Sequence, residues 1–202
     1  MKIGPKFKIA RRLGAPVFEK TQTTKFKLSA DRKSKGGRPR ARSDYGQQLL
    51  EKQKARFSYG ISEKQFGNYV NKVIGQMSKV PPQERLFSML ERRLDNVAYR
   101  LGLAKTRLAA RQMVSHGHLT VNGRKVTIPS FQVSVGDKIG IRAGSAAKAL
   151  FQDLDEKLAE QETPNWLNLD IKTKTAEVKG VPQLAGQSLV FDLGSVLEFY
   201  KR

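Results

Sequence analysis

Apolar residues recur at helical spacing between residues 43 and 94, and the residues between the stripes are suited to helix ends. A first stripe, through residues 43–59, follows Ser43, which can cap a helix start, and precedes Gly60, which can end one. A second stripe begins after Ser62, whose hydroxyl can accept a hydrogen bond from the amide of Gln65. This stripe consists of Phe66, Val70, Val73, Ile74 and Met77. Two prolines at 81–82 then open a third predicted helix, whose apolar residues are Leu86, Met89, Leu90 and Leu94.

Residues 93–142 predict two short helices followed by three strands. The first helix has one apolar face, formed by Leu94, Val97, Ala98 and Leu101. Thr106 can cap the second helix, predicted over Arg107–His116, and Gly117 can end it. The dipeptide Asn122-Gly123 lies between two alternating stretches and predicts a hairpin with a type I′ turn. A third strand is predicted over Lys138–Arg142.

The last quarter of the chain has a different pattern. We predict one helix over Ser145–Gln161, with a buried stripe formed by Leu150, Phe151, Leu154 and Leu158. Weak alternation predicts one strand over Leu169–Val178, and a short final helix is predicted over Ser195–Lys201. We expect the single tryptophan, Trp166, to be a core anchor rather than a platform for base stacking.

Residues 1–42 have no sustained hydrophobic period. Prolines, a Gly-Gly pair and many basic residues interrupt the sequence, so this segment cannot bury enough apolar area to fold alone. It could remain a disordered tail. We favour an extension that becomes ordered only against RNA phosphates, because its charge is nearly all of one sign.

The charge of the chain narrows the choice of partner. Its 202 residues include 38 Lys and Arg against 18 Asp and Glu, a net charge of +20. An excess of this size repels itself in the compact state and indicates a polyanionic partner. Residues 1–60 have a net charge of +13, residues 61–150 of +10, and residues 151–202 of −3. We therefore expect part of residues 151–202 to face protein rather than RNA. The alternative is that its apolar residues only complete the core and its acids face solvent.

Several classes of protein and site are excluded or disfavoured. No apolar run approaches the ~20 residues that span a bilayer, and the first residues lack the apolar stretch of a signal peptide, so we expect a cytoplasmic protein. The absence of cysteine excludes disulfides and thiolate metal sites. His116 and His118 have no nearby carboxylate, and we expect them to contact phosphate and sugar, or to form a turn, rather than to bind a metal. We expect no cofactor, because no phosphate-binding loop, nucleophile elbow or catalytic carboxylate pair is present.

Four stretches of the chain resemble one known family. They are GPKFKIARR at 4–12, SDYGQQLLEKQKARFSYGISEKQF at 43–66, LERRLDNVAYRLGLAKTRLAARQMVSHGHLTVNGRKVTIPSFQV at 90–133, and the closing PNWL at 164–167 with VLEFYKR at 196–202. In this order they are similar to bacterial small-subunit ribosomal protein S-four along essentially the whole chain. Many members of that family carry a cysteine-based zinc knuckle near the N-terminus, for which this chain has no ligands.

The resemblance implies a fold and a set of domains. The expected fold is α+β, a small helical domain with an inserted RNA-binding domain and an extended basic N-terminal arm. The inserted domain would contain two short helices plus a small antiparallel sheet. We place the arm at 1–42, the helical domain at 43–90 with completion by about 188–202, and the inserted domain at 91–187, with its core module at 93–142.

The resemblance also implies a function and partners. A member of this family binds a multi-helix junction in small-subunit ribosomal RNA directly and early, and so nucleates assembly of the subunit body. It also contacts ribosomal protein S-five at an interface tied to decoding fidelity, and lies near messenger RNA where the messenger enters the subunit. From the motifs and the positions of basic and aromatic residues, we expect RNA to be bound by Lys6, Lys8, Arg11, Arg12, Lys35, Arg38, Arg40, Arg42, Tyr45, Lys52, Lys54, Arg56, Tyr59, Lys64, Arg93, Lys105, Arg107, Arg111, His116, His118, Asn122, Arg124 and Lys125.

Two other functions use the same kind of module. An RNA-modifying enzyme such as a pseudouridine synthase would need a catalytic domain several times larger than residues 93–142, and the regions flanking them are too short for one. A free-standing RNA chaperone or translational repressor would use the same basic surface and is left open as a second role.

Overall fold

The computed structural model describes residues 3–24, 26, 43–152, 154, 158 and 162–201. It divides into two compact units. We call Met1–Leu86 with Ala185–Arg202 the helical unit, and Phe87–Leu184 the sheet unit. The domain boundaries expected from the sequence lie a few residues later, and they stay predictions.

Helices and strands are numbered along the chain, and their bounds within the described residues are as follows. The α-helices are α1 Lys6–Leu13, α2 Asp44–Tyr59, α3 Glu63–Ile74, α4 Pro82–Glu91, α5 Leu94–Arg100, α6 Arg107–Ser115, α7 Ala143–Ala146 and α8 Leu193–Lys201. The strands are β1 Leu119–Val121, β2 Arg124–Lys125, β3 Lys138–Ile141, β4 Leu167–Asp170 and β5 Thr175–Val178. Short 3-10 turns lie at Glu19–Thr21 and Ala149–Phe151. The predicted α+β class is confirmed.

The helix ends in the helical unit follow the predicted capping residues. Ser43 caps α2 by accepting a hydrogen bond from the amide of Gly46 at 3.3 Å, and Gly60 ends the helix at φ 62°. Ser62 caps α3 by accepting from the amide of Gln65 at 3.3 Å. Such caps satisfy backbone groups that have no partner inside the helix.

The N-terminal segment differs from the predicted extended arm, since residues 6–13 form the helix α1. Its buried face includes Ala10 and Leu13, which share a hydrophobic cluster with Phe18. Leu50 and Phe57 of α2 pack against this cluster, and the Phe18 and Phe57 ring centroids are 5.8 Å apart. Because the apolar partners come from α2, the pattern within residues 1–42 is too short to reveal the helix.

Helix α8 completes the helical unit from the other end of the chain. It packs on α2 and α3 and buries Val196 and Leu197. Its Tyr200 ring meets Phe66 of α3 edge to face, with 6.2 Å between centroids. Residues that are distant in sequence therefore share one apolar core.

The sheet unit is built on five antiparallel strands in the order β2-β1-β3-β5-β4. The β1–β2 turn has Asn122 at φ 50° and Gly123 at φ 77°, as the predicted type I′ turn requires. Helices α5 and α6 pack together, and their apolar faces join the inner face of the sheet in one core. Thr106 caps α6 by accepting from the amide of Ala109 at 3.1 Å.

Several predicted elements have different bounds in the structure. Leu169–Val178 is not one strand, because β4 and β5 form a hairpin in which Lys174 has φ 52°. The helix predicted over Ser145–Gln161 is replaced at its start by α7 and a 3-10 turn, and most of residues 153–161 lie outside the described part. Trp166 packs against the core of the sheet unit, as expected for an anchor. Three residues of the predicted apolar stripes are exposed: Ile74, Met77 and Leu150.

Candidate nucleic-acid interface

Asp95 near the start of α5 holds two arginines of the sheet unit. Arg93 donates from Nε to Oδ1 at 2.9 Å and from Nη2 to Oδ2 at 2.7 Å. Arg111 of α6 donates from Nε to Oδ2 at 2.8 Å. Arg93 is 1% exposed and Asp95 is 2% exposed, so this ion cluster is buried. Two guanidinium groups on one carboxylate provide the compensation that a buried charge needs.

Glu91 at the end of α4 holds a neighbouring set of polar groups. Arg100 donates from Nε to Oε2 at 2.8 Å and from Nη2 to Oε1 at 2.9 Å, while the amide of Asn96 donates to Oε2 at 2.9 Å. Arg107 then donates to Asn96 Oδ1 at 2.8 Å, and its guanidinium lies 4.3 Å from the centroid of the Tyr99 ring. We call the residues of these two sets the arginine network: Glu91, Arg93, Asp95, Asn96, Arg100, Arg107 and Arg111.

The arginine network changes the interpretation of three predicted RNA-binding residues. Arg93 is buried and ion-paired, so it does not present its charge to an RNA, and we withdraw it from the expected interface. Arg107 and Arg111 do lie on α6 as predicted, but both guanidinium groups bond to residues of α5. Their first role is to join the two helices.

Other predicted residues of the sheet unit are exposed. Lys105 lies in the loop before α6, and Arg124 and Lys125 form β2 beside the hairpin turn. Asn122 holds the turn in place, since it donates to Asp137 Oδ1 at 2.8 Å and accepts from the amide of Lys138 at 2.8 Å. Its amide group is therefore engaged within the protein, whereas the three cations project from the surface.

The two histidines belong to a set of groups between α6 and α7. A 3.0 Å hydrogen bond joins His118 Nδ1 to Ser145 Oγ, and the His116 and His118 ring centroids are 6.0 Å apart. Partial burial lowers the pKa of His118, and the nearby charges of Lys148, His116 and Arg142 lower this pKa further. Arg142 and Lys148 were not predicted, because nothing in the local sequence links them to the histidines.

All three predicted cations on α2 form ion pairs within the helical unit. Lys52 is 7% exposed, and its Nζ lies 2.6 Å from Glu63 Oε1 and 4.3 Å from the centroid of the Phe199 ring. Arg56 Nε lies 3.3 Å from Glu63 Oε2, and Lys54 pairs with an acid of its own helix. Lys52 and Arg56 therefore join α2 to α3 and are engaged within the protein, while Lys54 has its charge partly offset within α2.

Three tyrosines of the helical unit have different environments. Tyr59 is buried against Phe191, with 6.2 Å between ring centroids, and so cannot stack on a base. Tyr200 donates to Glu63 Oε1 at 3.3 Å, and burial together with the Glu63 charge raises the pKa of Tyr200. Tyr45 is exposed beside Phe199, at a centroid distance of 5.5 Å, and keeps one face for a base.

The remaining predicted cations of the helical unit lie on α1 and α3. Lys8, Arg11 and Arg12 are exposed on α1, while Lys6 is partly covered and has its Nζ 5.8 Å from the Phe18 ring centroid. Lys64 is exposed at the start of α3. Four predicted residues lie outside the described part of the chain: Lys35, Arg38, Arg40 and Arg42.

The structure adds two observations on other kinds of site. Among the described residues, no group of three His, Cys, Asp or Glu side chains is placed to hold a metal ion. In the same part of the chain, no helix is both long enough and apolar enough to cross a membrane.

Comparisons with known proteins agree with the sequence motifs along the whole chain. Residues 1–91 match the family described as "Ribosomal protein S4/S9 N-terminal domain", and residues 92–139 match the "S4 domain". The chain is 42% identical to the small ribosomal subunit protein uS4 of Roseiflexus sp. (strain RS-1), over 98% of each chain. It is 43% identical to the uS4 of Roseiflexus castenholzii and 42% identical to that of Chloroflexus aurantiacus, over 99% of this chain and 98% of each relative.

Proposed function

Since this chain belongs to the uS4 family of small-subunit ribosomal proteins, we propose that it binds small-subunit ribosomal RNA directly and early and thereby nucleates assembly of the subunit body. Membership of this family makes it a structural constituent of the small subunit and not an enzyme. An RNA-modifying function is therefore set aside. We propose that it functions on ribosomes in the cytoplasm.

The exposed cations carry the proposal for direct RNA binding. On the sheet unit these are Lys105, Arg124 and Lys125, and on α1 they include Lys8 and Arg12. None of them forms an ion pair with an acid among the described residues, so their charge remains available for phosphates. Phosphate contacts of this kind supply affinity and orientation without reading sequence.

A salt titration tests whether these cations bind phosphates. Replacing Lys105→Gln together with Arg124→Gln should weaken binding to a small-subunit ribosomal RNA transcript. The slope of log affinity against log salt should fall by about 0.7–0.9 for each phosphate that the variant no longer binds. The matched control is Lys172→Gln with Lys179→Gln, which removes two exposed charges from the β4–β5 hairpin. An unchanged slope in the test variant would remove these residues from the interface, and no saturable binding by the unaltered protein would reject the function itself.

Early action in assembly has its own measurement. Subunits reconstituted from purified components without this protein should lack the compact body and retain fewer of the proteins that join later. Adding the protein at the start should restore the body faster than adding it last, because RNA folding around it would precede other binding steps. Equal rates for the two orders of addition would contradict the nucleating role.

We also propose that acidic residues of the last quarter face ribosomal protein S-five and that this contact contributes to translational accuracy. Asp170 and Asp192 accept hydrogen bonds from the backbone of the residues that follow them, so their carboxylates hold local turns. Glu162 and Glu177 are exposed on the sheet unit and serve as test positions. The family resemblance supplies the identity of this partner, as it does for messenger RNA where the messenger enters the subunit.

Charge reversal tests the protein contact. The variant Glu162→Lys with Glu177→Lys should reduce retention of ribosomal protein S-five in reconstituted subunits and change the miscoding rate. Its affinity for ribosomal RNA should remain or rise slightly, because two negative charges become positive. Crosslinks from these positions to ribosomal RNA alone would contradict the proposal.

A further inference from the structure

Arg142 and Lys148 lie outside residues 92–139, the range that matches the S4 domain. Both are exposed, and neither pairs with an acid among the described residues. Arg142 follows β3 directly, and Lys148 follows α7. The match to the S4 domain therefore says nothing about the role of either residue.

Backbone hydrogen bonds bring these residues to the two histidines. The amide of Arg142 donates to the carbonyl of His118 at 2.8 Å, which continues the pairing of β1 with β3. The amide of Lys148 donates to the carbonyl of Ser145 at 3.0 Å, and the Ser145 hydroxyl bonds His118 Nδ1. Ser145 is 2% exposed, so the hydrogen bond that orients the His118 ring is anchored in the protein interior.

Lys125 approaches the same place from the hairpin. Gly117 has φ 70°, and a Cβ added to it would overlap Cε of Lys125. The lysine side chain therefore crosses directly over the turn between His116 and His118. We call this set the His118 patch: His116, His118, Lys125, Arg142 and Lys148.

The chemistry of the His118 patch favours a polyanion. Three side chains carry a permanent positive charge, and the two imidazoles can add N–H donors and charge when protonated. The lowered pKa of His118 reflects partial burial first and then the electrostatic effect of the neighbouring cations on the ring. The cations and a protonated His118 repel one another. Phosphate oxygens would offset this repulsion by accepting charge-assisted hydrogen bonds from these groups.

We propose that the His118 patch is a phosphate-binding site for the ribosomal RNA backbone, in which Arg142 and Lys148 extend the surface of exposed cations beyond the matched S4 domain. This inference rests on the proposed function and identifies where the backbone of that same RNA is held. The patch serves to position the RNA, because its groups match phosphate rather than any one base.

The first experiment removes the two unassigned charges. Arg142→Gln with Lys148→Gln should lower affinity for a small-subunit ribosomal RNA transcript roughly tenfold near physiological salt and reduce the salt slope by about 1.4–1.8. Lys172→Gln with Lys179→Gln, on the edge of the sheet opposite β2, removes the same net charge and should change affinity less than about threefold. Circular dichroism of each variant checks that the fold is retained.

The second experiment locates the RNA directly. Because the chain contains no cysteine, Lys148→Cys gives one thiol for attaching an iron chelate that cleaves nearby RNA. This derivative should cut the ribosomal RNA at a few discrete positions, whereas a Lys179→Cys derivative should cut it weakly or elsewhere. In reconstituted subunits, a photocrosslinker on the Lys148→Cys thiol should likewise attach to RNA.

The outcomes separate this inference from the proposed function. If the unaltered protein binds the transcript but the Arg142/Lys148 variant behaves like its control, the patch is not a phosphate site and the proposed function stands. Crosslinks only to an acidic protein neighbour would likewise overturn the patch as an RNA site. If the unaltered protein shows no saturable binding, the proposed function fails first.

Discussion

The arginine network and the His118 patch lie in the same unit and are both rich in basic residues, yet they use their charge in opposite ways. In the network, Glu91 and Asp95 accept hydrogen bonds from Arg93, Arg100 and Arg111 at 2.7–2.9 Å. Arg107 donates to Asn96, which itself donates to Glu91. In the patch, Lys125, Arg142 and Lys148 have no such acid among the described residues. The difference comes from two buried carboxylates rather than from the number of cations.

This contrast limits what can be learned from a count of charged residues. Arg93 and Arg142 contribute equally to the net charge of the chain, but only Arg142 presents that charge at the surface. Arginine is suited to both roles, because its planar guanidinium can bind a carboxylate inside the protein or a phosphate outside it. The presence of a nearby buried acid decides between the two roles.

The largest effect should come from removing the central acid of the network. Asp95→Ala should lower the free energy of unfolding by about 3–5 kcal/mol, because the buried charge of Arg93 would lose the carboxylate that compensates it. Urea unfolding followed by circular dichroism measures this change. Glu177→Ala, which removes an exposed acid from β5, should cost less than about 0.5 kcal/mol. Similar decreases in the two variants would mean that the ion cluster does not hold the helices.

A smaller effect should follow from removing two arginines of the network together. Arg107→Ala with Arg111→Ala should lower the free energy of unfolding by about 2–3 kcal/mol, because the charge-assisted bonds to Asn96 and Asp95 are removed. The salt slope for RNA binding should change less than in the Arg142/Lys148 variant. An equal change of slope would mean that Arg107 and Arg111 bind phosphates. It would contradict the contrast drawn between the arginine network and the His118 patch.

Gly117→Ala should have a still smaller effect, which should be seen both in stability and in the binding of RNA by the His118 patch. Alanine at φ 70° is strained by about 1 kcal/mol, and its Cβ would also displace Lys125. Gly123→Ala is the matched control, because Gly123 has φ 77° and nothing lies near its added Cβ. Both variants should be less stable in thermal unfolding, but only Gly117→Ala should reduce the salt slope of RNA binding.

The smallest effect should be the pH dependence that His118 gives to the free energy of unfolding. Its folded-state pKa lies below the ordinary value of 6.5, so the unfolded chain takes up this proton first as the pH falls. The stabilising contribution of the neutral ring is therefore complete above about pH 6.5 and is lost as the pH falls through the folded-state pKa.

Bound phosphates should reverse the sign of this effect in the complex. They would raise the pKa of His118 against the opposing charges of Lys148, His116 and Arg142, so RNA affinity should rise as the pH is lowered from about 8 to about 6. His118→Gln should show a smaller rise when binding is measured across the same range. An identical pH profile for the two proteins would remove His118 from the phosphate site.

Local features of the fold could be predicted because they depend on few residues. Ser43, Ser62 and Thr106 cap helices through hydroxyl groups only three residues from the amides they accept from. Asn122-Gly123 determines a turn by its own backbone preferences. The β4–β5 hairpin was missed because its turn has Lys174 at positive φ, where glycine or asparagine is the usual signal.

The site was less predictable because its residues are assembled by the tertiary structure. The sequence places Arg93 in a basic stretch, and only the fold shows that Asp95 and the core bury it. Arg142 and Lys148 meet His118 through pairing of β1 with β3 and through Ser145, a link that no short-range pattern contains. The exposure of Arg124 and Lys125 could be predicted, because both residues lie beside a turn and turns lie at the surface.

Helix α8 has a consequence for how this protein is made. The helical unit begins with α1, but the helix that packs on α2 and α3 is translated only after the whole sheet unit. Synthesis proceeds from the N-terminus, and domains fold as their residues become available. The sheet unit can therefore fold on the translating ribosome before α8 has been synthesised. Until then, the apolar surfaces of α2 and α3 that Val196 and Leu197 cover remain exposed.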